Sequence, residues 1–466
     1  MSSNRKTKKL DMLNGPIWNK LPQYAIPVAA TGILEQLFNA SDLAIVGNFA
    51  STDRTVAIAA VGANSSVIGV ILNLFIGLSL GSNVVIANSI GRGDKKQVEQ
   101  AVHTSVVASF LGGLLVTLLG ELCVGNLFQL LHIPDEVMPY ALLYIRIYLL
   151  GLPVIFLYNF EAAIFRSIGD TKVPLQALAF SGVLNVLLNL LFVVVFRMNV
   201  NGVAIATVLA NAVSSLILFV KLTRSEKWVK IHIRELRIHK SSLVRILQIG
   251  LPAGIQSAVF NLANVVIQAA INSLGTVVIA ASSAAYNLEI LVYYTFNAFS
   301  QACTTFVGQN FGAGKIDRCK RTLALSLLED FITSAAAVAL VLGSGKFLLS
   351  LFNSDPQVIA LGYTRLVIIF TAYLFSMLYD VMSGYLRGFG ISFVPALLTT
   401  LGVCGTRIFW VYTVFPRHQN FHTLMMVYPV SLSITALLIF IALMVYRPAK
   451  HYETLRKAKQ TGGISK

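Results

Sequence analysis

The chain has 466 residues, 56% of them hydrophobic and only 12% charged, and a formal net charge of +16 at pH 7. Soluble proteins of this size carry about 25% charged residues, so a soluble globular fold is excluded, and the basic excess poses a choice between nucleic acid and a membrane surface. Apolar runs near or above ~20 residues, the length a helix needs to cross ~30 Å of hydrocarbon, recur along the chain. In chain order they predict segments near 20–48, 56–88, 100–124, 138–162, 173–196, 203–222, 247–272, 278–308, 322–349, 358–385, 393–415 and 423–446. Backbone polar groups in hydrocarbon must be satisfied within the segment, so these twelve are helices of an all-α polytopic membrane protein.

The placement of charge settles the basic excess. The start, MSSNRKTKKLDMLNG, is polar and basic and reads as a cytoplasmic tail rather than a cleavable leader. With the N-terminus inside, GRGDKK, RSIGDTK, the basic segment 221–245, GAGKIDRCKR, LRGFG and both termini face the cytoplasm. That side then holds 29 of the 36 Lys and Arg residues. This is the positive-inside asymmetry, and it requires no nucleic-acid partner.

A repeat runs through the chain at an offset of 221 residues. AIFRSIGDTKVP (163–174) recurs as YLRGFGISFVP (385–395), placing Arg166, Gly169, Val173 and Pro174 against Arg387, Gly390, Val394 and Pro395. VAIAA (56–60) maps on VVIAA (277–281), and Gly91 and Gly93 map on Gly312 and Gly314. The expected organisation is an N-terminal six-helix lobe (1–220), a basic cytoplasmic linker (221–245), a C-terminal six-helix lobe (246–446) and a basic cytoplasmic tail (447–466). Six is even, so the halves enter the membrane in the same orientation, related by an axis along the membrane normal, with a site between them near midplane. The Arg-x-x-Gly turns read as topology and turn chemistry: Gly permits the turn, and Pro opens the next helix.

The strings LEQLFNASDLAIVG (34–47), SIGRGDKKQVEQA (89–101), FRSIGDTKVP, GVLNVLLNLLF (182–192), GQNFGAGK and YLRGFG, together with twelve helices in two halves, resemble the multidrug and toxic compound extrusion (MATE) transporters over nearly the whole length. The resemblance implies a V-shaped pair of six-helix bundles that alternates between inward-open and outward-open states. It also implies export of small amphiphilic, often cationic compounds, coupled to inward flow of Na⁺ or H⁺. It places such a protein in a bacterial inner (plasma) membrane with both termini cytoplasmic, as a monomer, with no cofactor other than the coupling ion. The rival reading is a flippase for lipid-linked oligosaccharide, which would call for a cavity lined by arginines. Enzyme readings fail, because GRGDKK lacks the spacing of a P-loop or dinucleotide fingerprint. His418 and His422 lack a third zinc ligand.

Ionisable residues inside membrane segments are functional candidates by default. Asp42 matches the family's first-helix Asp and is the leading coupling residue, able to hold a proton or ligate Na⁺ through oxygen. Asn185 and Asn189 are four apart on one helix face and match the family's fifth-helix polar pair, where many members carry Asp at the second position. Glu35, seven residues before Asp42, falls on the same face and offers a second carboxylate. Asp380 and Glu289 form a possible second ion site. Glu329 and Asp330 are expected to reach the cytoplasmic surface, and Pro27 and Pro252 are candidate hinges in the first and seventh helices.

Overall fold

The structure is a computed structural model that describes residues 10–49, 54–131, 133–225 and 227–460. Residues 1–9 and 461–466 of the two basic termini, and Glu226 of the linker, lie outside the described residues. The described chain is helical throughout. Helix α1 spans Lys20–Phe49, α2 Arg54–Arg92, α3 Lys95–Leu130, α4 Met138–Ser167 and α5 Lys172–Asn189, which runs on into a π turn over Leu190–Val195; α6 spans Val200–Thr223. The second half follows the same plan with α7 (Lys240–Asn272), α8 (Thr276–Gly312), α9 (Ile316–Ser350) and α10 (Pro356–Gly388). Its fifth helix is again interrupted, as α11 (Phe393–Thr399), a π turn over Thr400–Gly405 and α12 (Thr406–Thr413). Short α13 (Phe421–Met425), α14 (Val427–Tyr446) and amphipathic α15 (Pro448–Gln460) close the chain.

Among the described residues eleven helices are long and apolar enough to cross a membrane. Helix α1, at 30 residues, has the length, but Glu35, Gln36, Asn39 and Asp42 dilute its apolar character. Glu35, Asn39 and Asp42 line a cavity. Several helices outrun the hydrocarbon: α2, with 39 residues, is about 58 Å long.

Turn chemistry explains the breaks. Gly93 and Gly314 hold φ of 72° and 69°, and Gly169 and Gly390 hold 80° and 86°, left-handed values that only glycine adopts freely. Asp94 of GRGDKK then caps α3 by accepting the Gln97 backbone N–H at 3.0 Å.

The two halves meet through matching surfaces. The first helix of each half packs on the second helix of the other, α1 on α8 and α7 on α2, and α2 also packs on α8. At the end that carries the basic loops, Asn88 donates to the Gly388 carbonyl at 3.4 Å and Gln309 donates to the Ser167 carbonyl at 2.7 Å. Asn88 and Gln309 are repeat mates, and so are Ser167 and Gly388. A side chain at Gly91 would strike the Gln309 carbonyl, and one at Gly312 would strike the Asn88 carbonyl. Such reciprocal contacts are those of a two-fold axis, here running along the bundle between two like-oriented halves.

Apolar cores joining the halves lie at this same end. One gathers Met12, Leu21, Tyr24 and Val28 with Phe299, Ala302 and Phe306; another adds Ile246 and Ile249 to residues of α2 through α6. Toward the opposite end each half builds its own core, around Phe128, Ile145 and Phe156 in the first and around Ile267, Phe415 and Met425 in the second. The lobes are therefore joined at the basic end and separate toward the other.

The connector is shorter and better packed than a free linker. Helix α6 runs to Thr223 and α7 begins at Lys240. Val229 and Ile231 between them are buried. The His232 and His239 backbone N–H groups donate to His103 and Thr104 of α3 at 3.2 and 3.0 Å. The tail, too, is docked: α15 lays Ala449 into the core beside Cys319 and Tyr385, and Lys320 pairs with Glu453 at 2.5 Å.

Candidate functional site

The first lobe encloses a cavity of about 140 Å³ whose lining includes Glu35 and Asp42 of α1, Tyr148 and Tyr158 of α4, Asn185 of α5 and Thr207 of α6. That volume holds a few waters. Glu35 and Asp42, two turns apart on α1, both line the cavity. Asp42 is 6% exposed and Asn189 is 0% exposed. Asn189 Nδ2 donates to Asp42 Oδ1 at 2.6 Å, and Thr207 Oγ1 donates to Asp42 Oδ2 at 3.0 Å. Asn189 Nδ2 also reaches Asn185 Oδ1 at 3.2 Å, while Asn185 Nδ2 donates to Thr207 Oγ1 at 3.3 Å. Asn189 sits where α5 passes into its π turn, a local widening of the helix that frequently marks functional sites.

The structure thus brings Asp42, Asn185 and Asn189 into one network and puts Glu35 in the same cavity without a hydrogen bond to them. Thr207 was not among the sequence candidates; its signal was a hydroxyl four residues before Asn211 within the apolar stretch of α6. Asn189 Oδ1 is buried without a hydrogen-bond partner. A carboxylate ringed by amide and hydroxyl oxygens, one of them unused, is a donor set for a hard monovalent cation or a proton. Pro27 and Pro252 both lie inside unbroken helices. Thr31 Oγ1 donates to the Pro27 carbonyl at 2.8 Å. Pro252 falls between Gly250 and Gly254, which lie against the α2 backbone at Gly77 and Leu74.

In the second lobe the sequence grouping needs correction. Glu289 does not join Asp380: it forms a bidentate ion pair with Arg365, Nε to Oε1 at 2.6 Å and Nη2 to Oε2 at 3.0 Å, both side chains almost fully buried. The Tyr373 hydroxyl donates to the Glu289 carbonyl at 3.4 Å, which levels Glu289 with Tyr373. Asp380 lies seven residues further along α10, about 10 Å away along the axis. Glu121 makes a looser, half-exposed contact with Arg146 at 3.6 Å. Glu289, one of the apparent interior acids, is therefore neutralised by an interior arginine. Breaking the buried pair leaves a guanidinium uncompensated. Glu289→Gln should destabilise the protein by about 3–5 kcal/mol, read as a lowered melting temperature in detergent, whereas Glu289→Gln with Arg365→Met should recover most of the loss.

A second correction concerns Glu329 and Asp330. Both Glu329 carboxylate oxygens are covered and unpartnered, Asp330 is 0% exposed, and its Oδ1 accepts from Ser334 Oγ at 2.9 Å. Helix α9 begins at Ile316, earlier than its apolar run, so Asp330 sits about 21 Å into the helix instead of at its end. Asp330 and Asp380 each have a covered Oδ2 without a hydrogen-bond partner. Glu161 of α4, 0% exposed, accepts from Ser215 Oγ at 2.9 Å and leaves its Oε1 free.

A second cavity, about 110 Å³, lies between the lobes. It is lined by Gly77, Ser79 and Asn83 of α2, Arg166 of α4, Ser257 of α7, Asn297, Ser300 and Gln301 of α8, and Arg387 of α10. Ile76 lines both cavities, so the acidic one and the arginine-bearing one adjoin.

A family model described as MatE matches the chain twice, over residues 27–191 and again over 252–413. The chain belongs to the MatE family. The duplicate match falls on the two halves, and membership makes this MatE protein a multi-pass membrane transporter and not an enzyme. It is 28% identical over 407 residues to the probable multidrug resistance protein YpnP of Bacillus subtilis, covering 87% of this chain and 88% of that one. It is 24% identical over 399 residues to the probable multidrug resistance protein YoeA of the same organism, covering 84% and 86%. Its fold is that of a structure described as the outward-facing conformation of a multidrug resistance MATE family transporter of the MOP superfamily. The TM-score is 0.87 at 21% identity, over 96% of this chain and 99% of that one.

Proposed function

We propose that this MatE protein is an ion-coupled antiporter that exports small amphiphilic compounds, drugs among them, from the cytoplasm of a bacterial cell. The observation that carries the reading is Asp42, a carboxylate held by Asn189 and Thr207 inside a cavity of the first lobe. Sodium or a proton at Asp42 changes the charge of that cavity. The ion drives transport only if it binds the inward-open and outward-open states with different affinity. Asn189 cannot titrate, so the first lobe has one titrating group in this network and Glu35 as a second in the cavity. Asp380 and Asp330 are further covered carboxylates in the second lobe. The basic loops and both termini lie on the cytoplasmic side under this reading, and the lobes are then open outward.

The test is dye extrusion from proteoliposomes with an imposed pH gradient and, separately, an imposed Na⁺ gradient. One gradient is expected to drive extrusion and the other to leave it near the background leak; extrusion indifferent to both would overturn the coupling. A second reading, a flippase for a lipid-linked oligosaccharide, draws on the two arginines of the inter-lobe cavity. Passage of a pyrophosphate-linked lipid across the bilayer without dye extrusion would favour it.

A further inference from the structure

Arg166 and Arg387 are repeat mates, and the reciprocal contacts at Asn88 and Gln309 place their helix ends around the same two-fold axis. Their glycine turns do what the sequence implied, but the arginine side chains line the cavity between the lobes. No carboxylate lines that cavity. Glu35 belongs to the neighbouring one, and Asp380 lies two turns earlier on α10 without an ion pair to Arg387 among the described residues.

The guanidinium groups are sparsely used. Each has five N–H donors. Arg166 Nη1 reaches only Gln301 Oε1, at 3.4 Å, and Arg387 Nη2 reaches Gln256 Oε1 at 2.8 Å. Arg387 Nε is covered and has no partner. Holding a charge in a covered site without an ion pair is costly, and two forks with free donors facing one cavity match the oxygens of a carboxylate or phosphate. The other polar groups in the lining, Ser79, Asn83, Ser257 and Asn297, are neutral, and the acids near the two arginines, Glu35 beside Arg166 and Asp380 beside Arg387, lie outside it.

From this we infer that Arg166 and Arg387 together form an anion-binding site on the axis between the lobes, which receives the carboxylate or phosphate of an amphiphilic substrate. The inference rests on the transporter reading above and names its substrate class: amphiphiles bearing an anionic group. The shared chemistry is a planar or tetrahedral oxyanion that accepts two N–H bonds from each arginine. At about 110 Å³ the cavity takes the anionic group itself, so the apolar body extends out of it past Ile76 and Leu80, and a positive group on the same molecule would face Glu35 in the adjoining cavity. Because the site is built from both lobes, it exists only while they are joined at the basic end.

The purified full chain in phosphate-free maltoside micelles is titrated with fluorescein, an anionic xanthene, and with rhodamine 123, its cationic counterpart. Fluorescein is expected to bind, and the ratio of fluorescein to rhodamine affinity is expected to fall roughly tenfold for each arginine in Arg166→Gln and Arg387→Gln, from the worth of a charge-assisted hydrogen bond. Arg387→Lys, which keeps the charge and loses the fork, should recover part of the ratio, and this separates an anion site from a merely structural arginine. Displacement of fluorescein by phenyl phosphate more than by benzoate assigns phosphate, and the reverse assigns carboxylate. No fluorescein binding to the unaltered chain, no displacement by either anion, or an unchanged ratio in well-folded Gln variants would overturn the site. Binding is read without any gradient, so failure of ion coupling leaves this outcome intact, and failure of the anion site leaves coupling intact.

Discussion

Proteoliposomes carrying Asp42→Asn are expected to show no gradient-driven dye extrusion, while the variant inserts, folds and melts within a few degrees of the unaltered protein. The substitution keeps the shape and the two hydrogen-bonding positions of the side chain, so Thr207 and Asn189 retain a partner after an amide flip. What it removes is the charge. An amide neither accepts a proton in the working pH range nor compensates a bound cation. Without differential ion binding the two states have no coupling free energy to exchange. Extrusion should fall to the leak rate, a loss of at least a hundredfold, under whichever gradient drives the unaltered protein. Dye binding measured without a gradient should persist. Extrusion at the ordinary rate by Asp42→Asn would remove Asp42 from the mechanism and leave Glu35, Asp330 or Asp380 as the coupling acid.

The second large effect concerns closure at the basic end. Gly91 lies against the Gln309 carbonyl and Gly312 against the Asn88 carbonyl, so a methyl group at either position meets backbone that cannot swing aside. Overpacking of this kind costs about 1–3 kcal/mol. It penalises only the state in which α2 and α8 touch, which shifts the balance between states by about 5- to 150-fold. Gly91→Val should therefore hold the molecule open at the basic end and abolish extrusion. A thiol placed by Ser257→Cys in the inter-lobe cavity should react at least tenfold faster with an impermeant maleimide supplied from the basic-loop side. Normal extrusion by Gly91→Val, or no change in that rate, would show that this contact does not gate the path.

Much of this architecture was legible in the residues. Twelve segments, the two-half plan and the like orientation of the halves follow from hydropathy, charge placement and the 221-residue repeat, since each is imposed by the bilayer on the chain locally. Asp42, Asn185 and Asn189 were legible because polar residues are rare in such helices and spacing places them on faces. Partners were not. Arg365 lies 76 residues from Glu289, and nothing in either helix's own sequence tells whether an acid meets a base, another acid or a cavity. Asp330 was misplaced because an apolar run marks where a helix enters hydrocarbon and not where the helix begins. Thr207 was overlooked because a hydroxyl on a membrane helix more often satisfies its own backbone.

The sequence by itself determined that this protein is a membrane-spanning bundle of two like-oriented halves and which few polar groups it buries. Only the tertiary structure decided that Glu289 is neutralised, that Asp330 is buried, and that Arg166 and Arg387 turn from the loops into a shared cavity. The reason is one of range. Helix formation and insertion depend on side chains within a few turns of one another, whereas the sign of charge in a cavity is set by which helices face it, and that is fixed by packing between helices tens to hundreds of residues apart in the chain.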